Sequence, residues 1–368
     1  MSPAPLGGSV QPGFAAVRER FAELLADGTE TGAAVAVYRG DELVVDLWGG
    51  WADAGRTIPW HRDTIASTYS VTKMPAAAVL LSLVDRGLVG LDDHVASVWP
   101  EYAAGKDATT LRMVLAHQAG LPAFPEPRDA AGWADWDDLT AMLAGAEPEW
   151  EPGTSHVEHA LTYGHLVGEV VRRVDGRTLG TVWREDIAAR LDLDFQIGLA
   201  PAESARAAEM EHASPTWAGD MAGKPGSLRQ RVLGNPAGAL DVAVLNSATW
   251  REAEIPAVNG HGTARAIARF YAALAGRLEE PLFSPELRAE VLRPVSEGRD
   301  ALLERSVAWG MGLQFEESYA GMGGIGGSDG MVDLERGYSF GYVTRRLADH
   351  DRAISLADTV EECLAAGG

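Results

Sequence analysis

The spacing of apolar residues predicts a helix at each end of the chain and a β-hairpin after the first of them. Residues 14–27 and residues 351–366 both place apolar side chains on one face of a helix. Two short apolar runs, at 33–38 and 43–48, are separated by an Arg-Gly-Asp turn. Runs of this length around a turn are typical of paired strands, so they predict a hairpin.

A further helix carries apolar residues on nearly all sides, which predicts that it is buried. It spans residues 70–86 and ends at Gly87, a residue suited to the left-handed position after a helix. Proline is tolerated in a first turn and costly deeper inside a helix. Because of Pro75, we therefore expect this helix to begin at about Val71 or Thr72.

The order of the elements favours an α+β fold over a doubly wound sheet. Strands come first, mostly helical segments fill the middle, and after residue 300 three strands separated by glycine-rich turns precede the last helix. We therefore predict an antiparallel sheet flanked by helices, with an inserted, mainly helical subdomain. Residues 1–90 and 300–368 would form the α/β subdomain and residues 91–299 the helical one, with the active site between them.

The charge of the chain argues against nucleic acid as a partner. Acidic residues number 53 and basic residues 31, which leaves a formal net charge of −22 and a field that repels phosphate backbones. Hydrophobic residues make up 46%, so a packed core is feasible. Lysine is scarce, since Lys73, Lys106 and Lys224 are the whole set, and each of them therefore needs an explanation.

The sequence gives little support for a metal site, a cofactor or a membrane partner. The lone cysteine, Cys363, excludes an internal disulfide and any multi-cysteine metal site. The spacing of His156, Glu158, His159 and His165 fits no metal-ligand motif, and a late G-x-G-x-x-G match is followed by strand-like sequence rather than by a helix. The first residues show no secretory signal, and the most apolar run is too short to span a bilayer. We expect a cytoplasmic protein that uses no cofactor.

Ser70 and Lys73 provide the strongest chemical signal. A spacing of three places both side chains on one face at the start of the buried helix, roughly 5–6 Å apart at Cβ. At that position the helix dipole and the free N–H groups favour a developing oxyanion. Burial and the helix N-terminus should both lower the pKa of Lys73, as a base for the serine proton requires. The alternative is a serine that caps the helix beside a solvated lysine.

The Ser-x-x-Lys run resembles the serine β-lactamase and penicillin-binding protein superfamily, whose signature begins with this motif. More closely, the chain is similar to class C β-lactamase-like esterases and acyltransferases. The ordered segments that carry this similarity are GAAVAVYRGDELVVDLWGGWAD, YSVTK, LRMVLAHQAGLP, WEPGTSH…HALTYGHLVGEVVRR and GGIGGS. The resemblance implies an antiparallel sheet flanked by helices, a helical subdomain and acylation of Ser70.

One departure from the family pattern concerns the proton relay. Members carry a tyrosine after W-x-P-G that works with the lysine, and Glu158 stands at the matching position. A carboxylate near Lys73 could hold the lysine charged, or it could activate a water molecule or an incoming amine. The alternative is that Glu158 is solvated or paired with an arginine and that Tyr163 or Tyr69 supplies the phenol.

A second departure lies in the late strand, where the family has K-T-G or H-x-G. Met322 replaces the cation and cannot anchor a substrate carboxylate, which argues against β-lactam or D-Ala-D-Ala substrates. The following glycines would let a substrate carbonyl approach the strand, and the N–H groups of Ser70 and Ile325 would form the oxyanion hole. The residues that we expect in the substrate pocket are Tyr69, Trp150, His156, Tyr163 and Met322.

We predict an enzyme that forms an acyl-enzyme at Ser70, with Lys73 as the base. The acyl group of a small ester or amide substrate would pass to an amine or alcohol acceptor, as in a biosynthetic transacylase, which the altered proton relay favours. The alternative is transfer to water, as in an esterase or amidase. The charge of the chain favours neutral or cationic substrates. The rival interpretation is a non-catalytic binding protein that retains the fold, and acylation of Ser70 would separate the two.

Overall fold

The computed structural model describes residues 4–103 and 105–367. In this part of the chain the strands are β1 (Leu6–Val10), β2 (Gly32–Arg39), β3 (Glu42–Gly50), β4 (Ala66–Ser67), β5 (Phe195–Ile197), β6 (Glu211–His212), β7 (Gly260–Gly262), β8 (Ser296–Asp300), β9 (Arg305–Trp309), β10 (Gln314–Glu316), β11 (Tyr319–Gly323), β12 (Asp329–Asp333), β13 (Tyr338–Thr344) and β14 (Arg346–Leu347).

The α-helices of the same residues are α1 (Ala15–Ala26), α2 (Lys73–Asp85), α3 (Val95–Val98), α4 (Leu111–Leu115), α5 (Trp136–Gly145), α6 (Tyr163–Asp175), α7 (Leu179–Val182), α8 (Ala189–Leu191), α9 (Trp217–Ala222), α10 (Leu228–Leu233), α11 (Val242–Leu245), α12 (Ala248–Glu252), α13 (Ala264–Leu274), α14 (Pro285–Val291) and α15 (Asp351–Ala365). Among the helices described, none is both long enough and apolar enough to cross a membrane.

A nine-stranded antiparallel sheet organises the molecule. Its strand order is β1-β3-β2-β13-β12-β11-β10-β9-β8, so the first and last parts of the sequence meet where β2 pairs with β13. Helices cover the sheet, which confirms the predicted α+β fold. The predicted terminal helices are α1 and α15, and the predicted hairpin is β2 with β3. The predicted limits of the two subdomains stay a prediction.

The sequence of β2 explains how this central strand is covered on both faces. Val35 and Val37 point to one face and pack in the cluster that includes α1 and α15. Ala34 and Ala36 point to the other face, which α13 covers. Small residues are needed there because the helix approaches closely: a Cβ on Gly341, which pairs with Ala36, would lie 2.3 Å from a backbone oxygen of α13. The strand therefore reads as a continuous apolar run.

The region after residue 300 contains more strands than the three that the sequence predicts. The segment that was expected to form the first of them contains both β9 and β10. Gly310 and Gly312 interrupt it, and Gly312 has φ 81°, a left-handed conformation that glycine adopts without strain. The prediction of one strand is therefore wrong, because the apolar pattern continues through a turn that only the backbone conformation reveals.

Candidate active site

Ser70 lies at the start of α2, in a 3-10 turn rather than in the α-helix itself. The turn spans Tyr69–Thr72, and α2 begins at Lys73. The α-helix thus starts later than the predicted Val71 or Thr72, because the first turn is wound more tightly, as is common at helix N-termini. The predicted end is close to the observed one, since Gly87 follows the helix with φ 70°.

Backbone contacts hold the Ser70 turn against β7. The Thr68 N–H donates to the Gly260 carbonyl at 2.9 Å, and the Gly260 N–H donates to Thr72 Oγ1 at 2.8 Å. Between these two anchors Tyr69 has φ 47°, a conformation that costs a non-glycine residue about 1–3 kcal/mol. Such strain persists only where the surrounding packing imposes it, so the position of Ser70 is set by tertiary contacts.

Lys73 is fully buried and faces three oxygen atoms. Its Nζ lies 2.8 Å from Ser70 Oγ, 2.9 Å from the Ala160 carbonyl oxygen and 3.2 Å from the Ala257 carbonyl oxygen. The two carbonyls come from segments far apart in the sequence, one before α6 and one before β7. The amine is therefore fixed in direction by the fold as well as by the helix that carries it.

Glu158 lies in the loop before α6, with its Oε1 3.4 Å from Lys73 Nζ. Burial lowers the pKa of Lys73 below its ordinary value of 10.5, and the negative charge of Glu158 opposes this effect. Burial likewise raises the pKa of Glu158 above its ordinary value of 4.5; Lys73 opposes this shift and Asp300 adds to it. The two groups are therefore closer to exchanging a proton than a lysine and a glutamate in water.

The turn after β11 lies beside the Ser70 turn. A Cβ on Gly324 would lie 2.1 Å from the Thr68 carbonyl oxygen, so this position requires glycine. From the sequence, the glycines were expected to let a substrate approach the strand. At Gly324, however, the missing side chain allows the close approach of the Thr68 backbone. Ile325 follows in the turn and is half-buried, and its N–H has no backbone hydrogen-bond partner in the described part of the chain.

Both phenols that could replace the family tyrosine point elsewhere. The hydroxyl of Tyr163 donates to the Leu115 carbonyl at 3.3 Å, and that of Tyr69 donates to the Ala239 carbonyl at 2.9 Å. Burial raises the pKa of both phenols. Within residues 4–103 and 105–367, neither hydroxyl forms a hydrogen bond with Ser70 or Lys73, so the structure brings Glu158 to the lysine and leaves the tyrosines in the core.

The other three residues expected in the pocket occupy different environments. Met322 is buried in a small cluster with Val307 and Trp309. His156 is buried, with Nε2 3.3 Å from the Gly298 carbonyl oxygen, and Trp150 is half-buried and donates to the Ser155 carbonyl at 3.1 Å. Their place in a substrate pocket stays a prediction.

A groove of about 710 Å³ lies in the helical part of the molecule and contains none of the predicted site residues. Its walls include Trp133, Trp136, Arg172 and Glu254.

No group of three or more histidine, cysteine or acidic side chains suited to hold a metal ion occurs among the residues described. The side chains that the structure brings to Ser70 are Lys73, in direct contact, and Glu158 beside the lysine.

Two residues near the site were not identified from the sequence. Asp300 accepts a hydrogen bond from the Glu158 N–H at 2.8 Å, and His117 accepts one from the His159 N–H at 3.1 Å through Nδ1. Both side chains are fully buried. Asp300 lies in no motif quoted above, and His117 lies in LRMVLAHQAGLP, a segment that carries the family resemblance but assigns this histidine no role. What identifies both residues is their contact with consecutive backbone N–H groups of the loop that carries Glu158.

Comparison with known proteins identifies the family. The sequence matches the β-lactamase family over residues 17–363, which is nearly the whole chain. The chain belongs to the β-lactamase family. The resemblance inferred from the sequence is thereby confirmed, and the protein is a serine hydrolase of this family, whose members include esterases.

The relatives of this β-lactamase family member include esterases and a penicillin-binding protein homologue. It is 35% identical to the esterase/β-lactamase LipL of Mycobacterium tuberculosis, over 92% of this chain and 83% of that protein. The crystal structure of a family VIII carboxylesterase is 34% identical with a TM-score of 0.89, covering 98% of this chain and all of the other. A penicillin-binding protein homologue from Caulobacter crescentus is 39% identical with a TM-score of 0.86, at the same coverage.

Proposed function

We propose that this protein hydrolyses small esters through an acyl-enzyme at Ser70. The observation that carries the proposal is the direction of the Lys73 amine. Lys73 Nζ lies 2.8 Å from Ser70 Oγ and contacts the carbonyls of Ala160 and Ala257. In the proposed free-base form the amine would donate its two protons to these carbonyls, which leaves its lone pair for the Ser70 hydroxyl. A base held in this way accepts the hydroxyl proton as the oxygen attacks a carbonyl carbon.

The proposed reaction has two acyl-transfer steps. Ser70 Oγ bonds to the ester carbonyl carbon while its proton moves to Lys73, and the alcohol then leaves with that proton. Water next attacks the acyl carbon and gives a proton to the same base. The bond between the acyl carbon and Ser70 Oγ then breaks, Lys73 returns the proton to Oγ, and the acid leaves. The N–H groups of Ser70 and Ile325 would stabilise the oxyanion in both steps. Among the described residues the Ile325 N–H, in the turn beside Ser70, has no backbone hydrogen-bond partner, which supports this role.

Glu158 has the proposed role of a charge partner for Lys73. When Lys73 takes the serine proton it becomes a buried cation, and the carboxylate at 3.4 Å compensates that charge. In the second step Lys73 again becomes a cation as it takes the proton of the incoming nucleophile, and the same carboxylate compensates that charge. Two opposing effects act on the pKa of Glu158: burial raises it and the charge of Lys73 lowers it. The charge of the carboxylate is therefore coupled to the protonation of Lys73, as the proposed role requires.

Transfer of the acyl group to an amine or alcohol is the second proposed outcome. It uses the same acyl-enzyme and differs only in the molecule that reaches it. Lys73 can accept a proton from an amine as well as from water, and Glu158 would compensate its charge in either case, so the site supports both outcomes. Hydrolysis is preferred because the relatives at 34–35% identity are named as esterases.

Covalent labelling tests the proposed function. The wild-type protein is incubated with a fluorophosphonate or with p-nitrophenyl acetate, and its intact mass is measured. We expect one adduct per chain and none on Ser70→Ala. Ser67→Ala is the matched control, because Ser67 is also buried in the same segment and its hydroxyl has no partner within the described residues. Wild type without an adduct, or an equal adduct on Ser70→Ala, would refute an acyl-enzyme at Ser70.

A competition experiment separates hydrolysis from transfer. p-Nitrophenyl acetate is supplied with benzylamine or a simple alcohol in water, and the products are identified and quantified by mass spectrometry. Acetate as the main product supports the esterase. A predominance of N-benzylacetamide or of the new ester would instead establish a transacylase.

A further inference from the structure

Asp300 connects the sheet to the loop that carries Glu158. It is the last residue of the edge strand β8, and its side chain is fully buried. Its Oδ1 accepts the N–H groups of Leu302 and Leu303, at 2.8 Å and 3.0 Å, and thereby closes the turn into β9. One of the two carboxylate oxygens therefore stabilises the turn between β8 and β9.

The other carboxylate oxygen points away from the hairpin turn. Asp300 Oδ2 accepts the Glu158 backbone N–H at 2.8 Å and the Trp309 indole N–H at 3.1 Å. With two donors on each oxygen, the carboxylate cannot rotate or shift without losing hydrogen bonds in a buried environment. The Glu158 backbone is therefore tied to a rigid point in the sheet.

The residues on either side of Glu158 are held by His117. The Val157 N–H donates to the His117 carbonyl at 3.2 Å, and the His159 N–H donates to His117 Nδ1 at 3.1 Å. Three consecutive N–H groups are thus bound by two buried residues, and the middle one belongs to Asp300. His117 itself has φ 61°, a strained conformation for a residue with a side chain, which indicates that this arrangement is imposed by its surroundings.

We propose that Asp300 is a positioning residue that fixes the Glu158 backbone so that the Glu158 carboxylate reaches Lys73. This rests on the proposed function, in which Glu158 compensates the charge of Lys73. Asp300 acts on Glu158 through the backbone hydrogen bond and through its charge. The charged groups with the largest influence on Glu158 are Lys73, Asp300 and Arg305.

The structure offers a matched control for this role. Asp333 is the last residue of β12, is fully buried, and accepts the N–H groups of Glu335 and Arg336 at 2.9 Å and 2.7 Å, which closes the turn into β13. It therefore has the turn-closing function of Asp300 without the contact to Glu158. A loss of activity or stability that substitutions at both positions share is therefore attributed to the hairpin turns and not to Glu158.

The test compares Asp300→Asn with Asp333→Asn in p-nitrophenyl acetate hydrolysis. An amide has one acceptor oxygen, so each variant keeps the contacts of only one carboxylate oxygen. Asp300→Asn loses either the two turn N–H groups or the contacts with Glu158 and Trp309, and Asp333→Asn can keep its turn but loses the contact of Oδ2 with Arg336. Both variants should therefore melt at lower temperature. We expect Asp300→Asn to lower kcat/KM roughly tenfold or more, because a displacement of about 1 Å at a catalytic group can cost about 10²-fold. Asp333→Asn should retain wild-type kcat/KM. Equal kcat/KM for the two variants would overturn the role of Asp300.

A double-mutant cycle excludes a merely structural effect. If Asp300 acts through Glu158, Asp300→Asn should have little further effect on kcat/KM in the Glu158→Gln background, and it should shift the pH dependence of kcat/KM only when Glu158 is present. The same loss in both backgrounds would contradict the proposal. Should Asp300→Asn not fold, Trp309→Phe removes one donor from the same oxygen and is subjected to the same cycle.

The result also separates this inference from the proposed function. Wild type that forms no acyl adduct refutes both. Wild type that turns over, with no dependence of the Asp300→Asn loss on Glu158, overturns the role of Asp300 and leaves the acyl-enzyme intact.

Discussion

Glu30 and Glu158 are both buried glutamates that face a buried cation, yet their surroundings differ. Glu30 lies at the entry to β2, and Arg352 of α15 reaches it at 2.8 Å. Its two oxygens are saturated by donors, namely the N–H groups of Thr31 and Gly32, the hydroxyls of Tyr342 and Thr344, and Arg352. Glu158 also has a cation beside it, but within the described residues its carboxylate has one partner, Lys73 at 3.4 Å.

The difference separates a carboxylate that stabilises the fold from one that is available for chemistry. A carboxylate that accepts five hydrogen bonds is fixed in place and joins the strands and the last helix around it. Glu158 has spare acceptor capacity, its side chain retains slight access to solvent, and burial raises its pKa. Burial of a charge alone therefore does not mark a functional residue; unused lone pairs beside a second titratable group are what support the proposed role of Glu158.

The largest effect that tests this comparison is expected from Glu30→Gln. The amide carries one acceptor and one donor group, so several donors lose their acceptor and Arg352 becomes an unpaired buried charge. We expect the free energy of unfolding to fall by about 3–5 kcal/mol, as for other broken buried pairs. The kcat/KM of the folded protein should not change. Urea denaturation and p-nitrophenyl acetate hydrolysis measure the two quantities, and an unchanged unfolding midpoint would refute the structural role of Glu30.

The contact between Ser70 and Lys73 could be predicted from sequence because it is local. Residues three apart on a helix share a face, so the 2.8 Å contact follows from the motif once a helix is predicted there. The position of Glu158 was harder to predict from the sequence. Its approach to Lys73 depends on how the loop before α6 packs against α2, and the family pattern, rather than spacing, pointed to it.

Features that depend on long-range packing could not be predicted. Asp300 contacts a backbone N–H 142 residues away, and a hydrogen bond to backbone leaves no residue pattern in the partner segment. Met322 was assigned to the substrate pocket from a motif position, and that assignment stays a prediction; what the sequence did not indicate is that its side chain packs beside Val307 and Trp309. The direction of a strand side chain depends on register, and register is set by pairing rather than by composition.

Glu158→Gln applies the same substitution to the second glutamate and should give the opposite pattern. We expect kcat/KM to fall roughly tenfold or more. This lower bound is below the about 10²–10⁴-fold contribution of a group that itself transfers the proton, because Glu158 acts through the charge of Lys73. The unfolding free energy should change less than in Glu30→Gln, because the carboxylate is not saturated with donors and burial disfavours its charge. A large loss of stability with unchanged turnover would make Glu158 a structural residue like Glu30.

The pH dependence of kcat/KM should also differ between the two glutamate variants. Lys73 must be unprotonated to act as the base, so kcat/KM should rise with pH, with a midpoint below the ordinary lysine pKa of 10.5. The charge of Glu158 raises the pKa of Lys73, so its removal should move the midpoint to lower pH. Glu30→Gln should leave the midpoint in place. A midpoint that moves to higher pH in Glu158→Gln would contradict the assignment of Lys73 as the base.

The smallest effect is expected from Tyr163→Phe, which asks whether a buried phenol rather than Glu158 serves the base. The hydroxyl of Tyr163 donates to the Leu115 carbonyl at 3.3 Å, and its ring packs against His117, so the change removes one long hydrogen bond and keeps the packing. We expect the unfolding free energy to fall by about 0.5–1.5 kcal/mol and kcat/KM to stay at the wild-type level. Tyr69→Phe, whose hydroxyl also donates to a carbonyl, is the matched control. A tenfold loss in Tyr163→Phe alone, together with full activity in Glu158→Gln, would transfer the role of proton partner from the carboxylate to the phenol.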